Sequence, residues 1–203
     1  HVGGVGMFGG DYLAEGADST TKIKPADNYA YYNDGVLTLH NYDYAGKGYE
    51  FSIGDYATIF SRNKLTIVLE GKNTLNYNNS SSDTEGACIA VYGDLAIKGN
   101  GSLESSVNSD GYAYAITVID GTLTVVDATI VTESEIWSTD IIINSGKINV
   151  AKLYAYEDII VNGGTVVLRN DTDNCLVADN LTINGGSLDS ISKYYPLRVY
   201  GDF

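Results

Sequence analysis

Several residue types are scarce in this 203-residue chain, and each scarcity excludes a class of protein. There are 2 cysteines, 2 prolines, 2 histidines, 1 methionine and 1 tryptophan. Two cysteines are too few for a disulfide-rich scaffold, and no Cys/His spacing suggests a zinc site. One internal histidine, His40, gives a Ser/His/Asp triad very little support. No run approaches about 18 apolar residues, so no membrane span is predicted.

Positive charge is scarce as well. The chain has 12 Lys and Arg against 26 Asp and Glu, which gives a formal net charge of −14. A surface this acidic repels phosphate backbones and anionic membranes, so nucleic acid is not expected as a partner. The partners that remain are cations, neutral sugars and basic proteins. An acidic polysaccharide would need a bridging metal ion.

The chain is rich in glycine, tyrosine and one repeated short strand, with 23 Gly and 17 Tyr. The strand reads apolar-x-apolar and begins at Leu65, Leu95, Leu123, Ile141, Ile159 and Leu181. Successive copies are 30, 28, 18, 18 and 22 residues apart. A turn such as Asn162-Gly163-Gly164 follows most copies, and a second short strand follows the turn. A strand and a turn that recur together indicate a repeat architecture.

The repeat predicts an all-β fold, a single right-handed parallel β-helix. Side chains alternate along a strand, so the first and third residues of each copy face inward. One copy cannot bury them alone, whereas copies stacked about 4.8 Å apart form a continuous core. An antiparallel sandwich gives no reason for strand and turn to recur together. The recurring turn asparagine predicts a stacked amide ladder, and residues 78–83 and 105–110 are predicted to be inserted loops.

The whole chain, residues 1–203, is predicted to be one monomeric domain. Residues 1–55 form an N-terminal cap region with a β-hairpin around Asp34-Gly35. Residues 56–193 form the coils, and residues 194–203 form a terminal strand in which Pro196 discourages further pairing. Cys88 and Cys175 occupy similar places on coils that are four apart, so we expect buried free thiols and no disulfide.

Four segments of the sequence also resemble a known family. They read GVLTLHNYDY, LTIVLEGKNTL, VYGDLAIKGNGSL and LTINGGSL and lie within residues 35–190. They resemble the secreted carbohydrate-binding β-helix domains of clostridia and related gut bacteria, which are pectate-lyase-like in fold. The resemblance implies a secreted or cell-surface location and calcium-assisted binding of plant cell-wall polysaccharides, including acidic ones. It supplies no short ligand motif, so candidate residues rest on geometry.

Carboxylates are the candidate metal ligands. Aligning the copies places Asp140 and Asp158 on adjacent coils, at the outward position just before the strand. Glu157 and Asp179, one residue earlier, also fall on adjacent coils. Ca²⁺ takes carboxylate and carbonyl oxygens, so this patch is a candidate calcium site. Carboxylates screened by water and salt are the other interpretation, and the sequence leaves both open.

Aromatic residues are the candidate carbohydrate ligands. Tyr112 and Tyr114, and likewise Tyr154 and Tyr156, are i, i+2 pairs, so each pair shares one strand face. If that face points outward, the rings form a platform on which pyranose rings could stack. If it points inward, they belong to the core. Trp137 is open to the same two interpretations.

These features predict a non-catalytic secreted or cell-surface polysaccharide-binding module. The alternative is a calcium-dependent uronate lyase, an enzyme that needs a base, typically Arg or Lys, beside the metal. The arginines are Arg62, Arg169 and Arg198, and the alignment places none of them beside Asp140 and Asp158. A ligand-free adhesin or stalk segment is a third possibility.

Overall fold

The computed structural model describes residues 1–81 and 85–203. Within those ranges the chain forms β-strands and no α-helix, so the all-β prediction is confirmed. It follows that the described part of the chain contains no helix long and apolar enough to cross a membrane.

There are 24 strands in the described residues. The first eight are β1 (Asp11–Ala14), β2 (Tyr29–Asn33), β3 (Val36–His40), β4 (Asp43–Gly46), β5 (Tyr49–Ser52), β6 (Asp55–Ser61), β7 (Leu65–Glu70) and β8 (Lys72–Asn79). The next eight are β9 (Glu85–Tyr92), β10 (Leu95–Lys98), β11 (Ser102–Ser109), β12 (Tyr112–Ile119), β13 (Thr122–Val126), β14 (Thr129–Thr132), β15 (Glu135–Ser138) and β16 (Asp140–Ile143). The last eight are β17 (Lys147–Val150), β18 (Lys152–Ala155), β19 (Asp158–Val161), β20 (Thr165–Asn170), β21 (Leu176–Ala178), β22 (Asn180–Ile183), β23 (Ser187–Ser192) and β24 (Leu197–Val199).

The strands form three sheets that the chain visits in a fixed order. Sheet 1 has nine strands in the order β1-β2-β3-β7-β10-β13-β16-β19-β22. Sheet 2 has seven, β4-β8-β11-β14-β17-β20-β23, and sheet 3 has eight, β5-β6-β9-β12-β15-β18-β21-β24. From β7 onward the chain passes through sheets 1, 2 and 3 repeatedly, and we call each passage a coil. Neighbouring coils pair in parallel in all three sheets.

The pairing register in sheet 1 matches the alignment made from the sequence. Leu95 lies between Leu65 and Leu123, and the same column continues through Ile141 and Ile159. First and third positions face inward, as the pairs Leu95 and Ile97 and Ile141 and Ile143 show, each of which is at most 1% exposed. The exception is Ile183 on the last coil, which is 44% exposed because no further strand covers it. The predicted repeat register is therefore confirmed.

The longer repeats are accommodated by longer strands, so the predicted loop at residues 105–110 is wrong for most of its length. Strand β11 continues to Ser109 and pairs with β8 through Ser106↔Asn76 and Ser109↔Asn79. The Ser106 hydroxyl donates to Asn76 Oδ1 at 2.6 Å, so polar side chains link the two strands. Of the other predicted loop, residues 78–83, the first two belong to β8, and Ser82 and Asp83 lie outside the described residues.

The first end of the stack is covered by antiparallel strands. The predicted hairpin joins β2 to β3, and Asp34 and Gly35 have φ values of 46° and 80°, as a tight hairpin turn requires. Strands β3 and β4 already pair in parallel with β7 and β8, so parallel stacking reaches back to Val36, inside the predicted cap region 1–55. At the other end, β24 begins directly after Pro196 and is the last strand of sheet 3.

Two smaller sequence predictions are also confirmed. The side-chain amide of Asn162 donates to Asn144 Oδ1, and that of Asn184 donates to Asn162 Oδ1, each at 2.8 Å. These asparagines form the stacked ladder expected at the turn after sheet 1. Cys88 and Cys175 are free and fully buried. Cys88 lies on β9 and Cys175 directly precedes β21, and these two strands are four apart in sheet 3. Burial raises the pKa of the Cys88 thiol to about 12, so it remains protonated.

Candidate functional site

Four of the five predicted aromatic residues meet on sheet 3. Trp137 on β15 is the strand neighbour of Tyr154 on β18, with ring centroids 6.5 Å apart and planes 20° apart. Tyr156 approaches Trp137 edge-on at 4.9 Å, and Tyr114 lies 6.5 Å away on the other side. Trp137 is thus the centre of a ring cluster that spans three neighbouring strands.

The cluster is on the outer face of the sheet. The side chains that alternate with these aromatic residues along the strands, such as Ile136 and Leu153, are 1% exposed and lie in the core. Tyr156 is 54% exposed and Trp137 is partly exposed. Tyr112 is 77% exposed and stands beside Glu85 of β9 instead of in the ring cluster. The sequence left open whether these aromatic side chains point inward or outward, and in the structure they point outward.

A depression of about 440 Å³ lies beside the cluster, and we call it the aromatic groove. One row of neighbouring outward positions leads into it: Phe60 on β6, Ala90 on β9, Thr117 on β12 and Trp137 on β15. Thr117 and Trp137 line the groove, whereas Phe60 and Ala90 are buried beside it.

The wall opposite Trp137 is made by residues that were not predicted. Phe51 stacks on Phe60 with centroids 4.9 Å apart and planes 9° apart, and Tyr92 contacts Phe60 edge-on at 6.1 Å. Phe51 reaches this position because β5 folds back on β6 as an antiparallel hairpin. The alternation in Tyr49-Glu50-Phe51 could have shown that two aromatic residues share a face, but the hairpin partner lies outside the repeat.

Two carboxylates line the same groove, and they too were not predicted. Asp55 on β6 and Glu85 on β9 are at the starts of neighbouring strands, and Asp55 Oδ1 accepts the backbone N–H of Glu85 at 3.2 Å. The Glu85 side chain is exposed. Burial raises the pKa of the Tyr114 phenol, and the negative charge of Glu85 raises it further. The groove therefore combines aromatic walls with acidic acceptors and a protonated phenol.

The predicted metal ligands lie in a different place, at the corner where the chain leaves sheet 3 for sheet 1. Asp140 and Asp158 start neighbouring strands, as the alignment predicted. Asp140 Oδ1 accepts the backbone N–H of Asp158 at 3.1 Å, and the side-chain amide of Asn180 donates to Asp158 Oδ1 at 2.8 Å. These carboxylates thus join consecutive coils by hydrogen bonds, as Asp94 does with the N–H of Thr122.

Glu157 and Asp179 are exposed at the same corner, and the backbone N–H of Asp179 donates to the Glu157 carbonyl at 2.8 Å. In residues 1–81 and 85–203, no three His, Cys, Asp or Glu side chains come close enough to hold a metal ion. Calcium takes about six to eight oxygens. Asp140 and Asp158 alone supply too few, so a calcium ion here would need oxygens from water or a glycan. The calcium site stays a prediction.

Comparisons with protein-family models, with curated proteins and with solved structures returned no match to this chain.

Proposed function

We propose that the chain is a single-domain, right-handed parallel β-helix that serves as a secreted or cell-surface polysaccharide-binding module. Three parallel sheets visited in a fixed order support the helical winding, and parallel crossovers are right-handed in almost all proteins. The antiparallel strands β1, β2 and β5 cover the first end, where they shield the edge of the stack. The sequence resemblance to carbohydrate-binding β-helix domains is in accord with this proposal.

The single observation that carries the binding function is the position of Trp137. It lies partly exposed on the outer face of sheet 3, with Tyr154 and Tyr156 beside it and the groove in front of it. An aromatic ring offers an apolar face with negative charge density, which suits the C–H face of a pyranose ring. Ligand sites combine such apolar surfaces with a few polar groups that orient the ligand, and here Asp55 and Glu85 supply them.

Binding without catalysis is favoured over the lyase alternative by the composition of the groove. A uronate lyase needs a basic residue to remove a proton beside the carboxylate. In the described part of the chain no Arg or Lys lines the aromatic groove. Arg169 lies on sheet 2, where its guanidinium pairs with Asp189. A ligand-free stalk would give no reason for a partly exposed tryptophan within a ring cluster.

Intrinsic fluorescence tests the proposal directly, because Trp137 is the only tryptophan in the chain. We expect a saturable change in its emission when a hexasaccharide from a panel of plant and bacterial glycans binds. Tyr156→Ala should weaken binding by roughly five- to thirtyfold, since it removes one face of the site. Tyr200→Ala, which removes a 62% exposed ring that does not line the groove, is the matched control. An unchanged affinity in Tyr156→Ala, or no response to any glycan in the panel, would contradict the proposal.

A further inference from the structure

The charge of the aromatic groove argues against an acidic ligand. Within the described residues its two charged lining side chains, Asp55 and Glu85, are both acidic. The whole chain carries a formal net charge of −14, so the longer-range field has the same sign. Like charges repel and opposite charges attract, and a partly enclosed groove concentrates the effect. A glycan with carboxylates would thus lose affinity here, whereas a glycan with positive groups would gain it.

Both groove carboxylates are available to a ligand. Some acids of this chain are neutralised by a neighbour: Asp173 Oδ2 lies 2.6 Å from Lys152 Nζ, and Glu104 Oε2 lies 2.9 Å from Lys72 Nζ. Among the described residues, neither Asp55 nor Glu85 forms such an ion pair. Asp55 uses one oxygen for the backbone N–H of Glu85, and no donor from residues 1–81 or 85–203 bonds to the other.

We propose that the aromatic groove selects amino sugars, that is, polysaccharides whose pyranose rings carry protonated amino groups. This inference rests on the proposed glycan-binding function and specifies its substrate class. An amino sugar retains the apolar ring face that stacks on Trp137. Its ammonium group donates charge-assisted hydrogen bonds, which are stronger than neutral ones, to Glu85 and Asp55. N-acetylation of the sugar removes the positive charge while the ring remains. Comparing the two sugars therefore separates the contribution of the ammonium charge from that of ring stacking.

The test compares three hexasaccharides by titration of Trp137 fluorescence: one of glucosamine, one of N-acetylglucosamine and one of galacturonic acid. At a pH that protonates the sugar amines and at low salt, the glucosamine hexamer should bind roughly three- to tenfold more tightly than the acetylated one. The galacturonate hexamer should bind most weakly. The preference for free amines should shrink as salt is added, because the groove is open to solvent.

Variants distinguish the groove from the overall charge of the protein. Glu85→Gln and Asp55→Asn remove one charge each and keep the side-chain size, and Asn retains the acceptor that Asp55 offers to Glu85. Each should weaken binding of the glucosamine hexamer more than binding of the acetylated hexamer, so the preference for glucosamine should fall. Glu133→Gln is the control, because Glu133 is exposed and lines a separate polar depression on sheet 2. It should keep the wild-type preference.

Each other outcome overturns the inference in a recognisable way. If all three variants reduce the preference equally, net charge explains it and the groove does not select amino sugars. If the wild type binds both glucosamine forms with equal affinity, the groove is a neutral glycan site, and the proposed function survives while this inference fails. If none of the three hexamers perturbs Trp137 but another glycan of the panel does, this inference fails and the proposed function survives. If no glycan of the panel perturbs Trp137, both fail.

Discussion

The ammonium of Lys152 lies 2.6 Å from Asp173 Oδ2 and 3.2 Å from Glu135 Oε1. Lys152 is only 8% exposed, and its two partners come from the neighbouring coils on either side, so one side chain ties three coils together. Burial alone would lower the pKa of Lys152, but the two carboxylates outweigh it and raise the pKa above its usual value. The arrangement is therefore a stabilising ion triad at neutral pH.

Replacing Lys152 with methionine should lower the free energy of unfolding by about 1–2 kcal/mol at neutral pH, since both carboxylates are partly exposed and regain water. Lys152 lowers the pKa of Asp173 below its ordinary value of 3.8. A depressed carboxyl pKa adds stability above the ordinary value, and this contribution is lost as pH falls through the folded-state value.

Urea unfolding checks this at neutral pH and at a series of values below pH 3.8. The difference between the wild type and Lys152→Met should narrow in the acidic series. Lys193→Met, which alters an exposed lysine near the last coil, should match the wild type throughout. A difference that stays constant with pH would show that Lys152 acts through packing alone.

The register of sheet 1 predicts opposite outcomes for two aspartate substitutions. Ile143 is 1% exposed in the core, whereas Thr124, on the neighbouring strand, faces outward. Ile143→Asp buries an unpaired carboxylate and should cost at least about 3 kcal/mol, while Thr124→Asp should cost less than about 1 kcal/mol. Thermal melts of both variants provide the measurement, and equal melting temperatures would mean that the inward and outward faces are assigned wrongly.

Substitutions in the asparagine ladder should destabilise the protein more in the middle of the ladder than at its end. Asn162 makes two side-chain amide bonds, to Asn144 and Asn184, whereas Asn184 makes one of these two. The ladder is exposed, so each bond is worth about 0.5 kcal/mol. Asn162→Ala should therefore destabilise the protein by about 1 kcal/mol and Asn184→Ala by about half as much. The reverse order in urea unfolding would argue that the ladder does not stabilise the stack.

The predicted calcium site at Asp140 and Asp158 is tested by thermal melts in calcium and in chelator. If the site exists, we expect calcium to raise the melting temperature of the wild type but not that of Asp140→Asn/Asp158→Asn. The amide retains the oxygen that accepts the inter-coil hydrogen bonds, so the double variant should fold. A melting temperature that does not respond to calcium in the wild type would contradict a site in the free protein. Repeating the melts with polygalacturonate then tests a calcium ion shared with an acidic glycan.

The sequence predicted the repeating strands of sheet 1 and the hairpin at Asp34-Gly35. It missed the residues that the β5–β6 hairpin brings to the groove. The column from Leu65 to Leu181 could be aligned because an inward pair and a glycine turn recur together in most coils. The strands of sheet 3 are not followed by a recurring glycine turn. The sequence therefore identified Trp137 as a candidate ligand because it is aromatic, but it left open whether the side chain points inward or outward. Phe51 and Asp55 depend on one antiparallel hairpin outside the repeat, and their contact with the groove depends on long-range pairing that no local pattern encodes.

The open final coil has a mechanical consequence. The hydrogen bonds between coils run along the stacking direction, and each coil contacts chiefly the next. Tension applied between the two ends of the stack would therefore pull along these hydrogen bonds. The bonds would break one coil interface at a time. Ile183 and Leu197 of the outermost coil are already 44% and 36% exposed, because β22 and β24 are the last strands of their sheets. Under load the protein should lengthen by shedding coils one after another from that end, while the groove between β6 and β18 keeps its shape until the strands beneath it are reached.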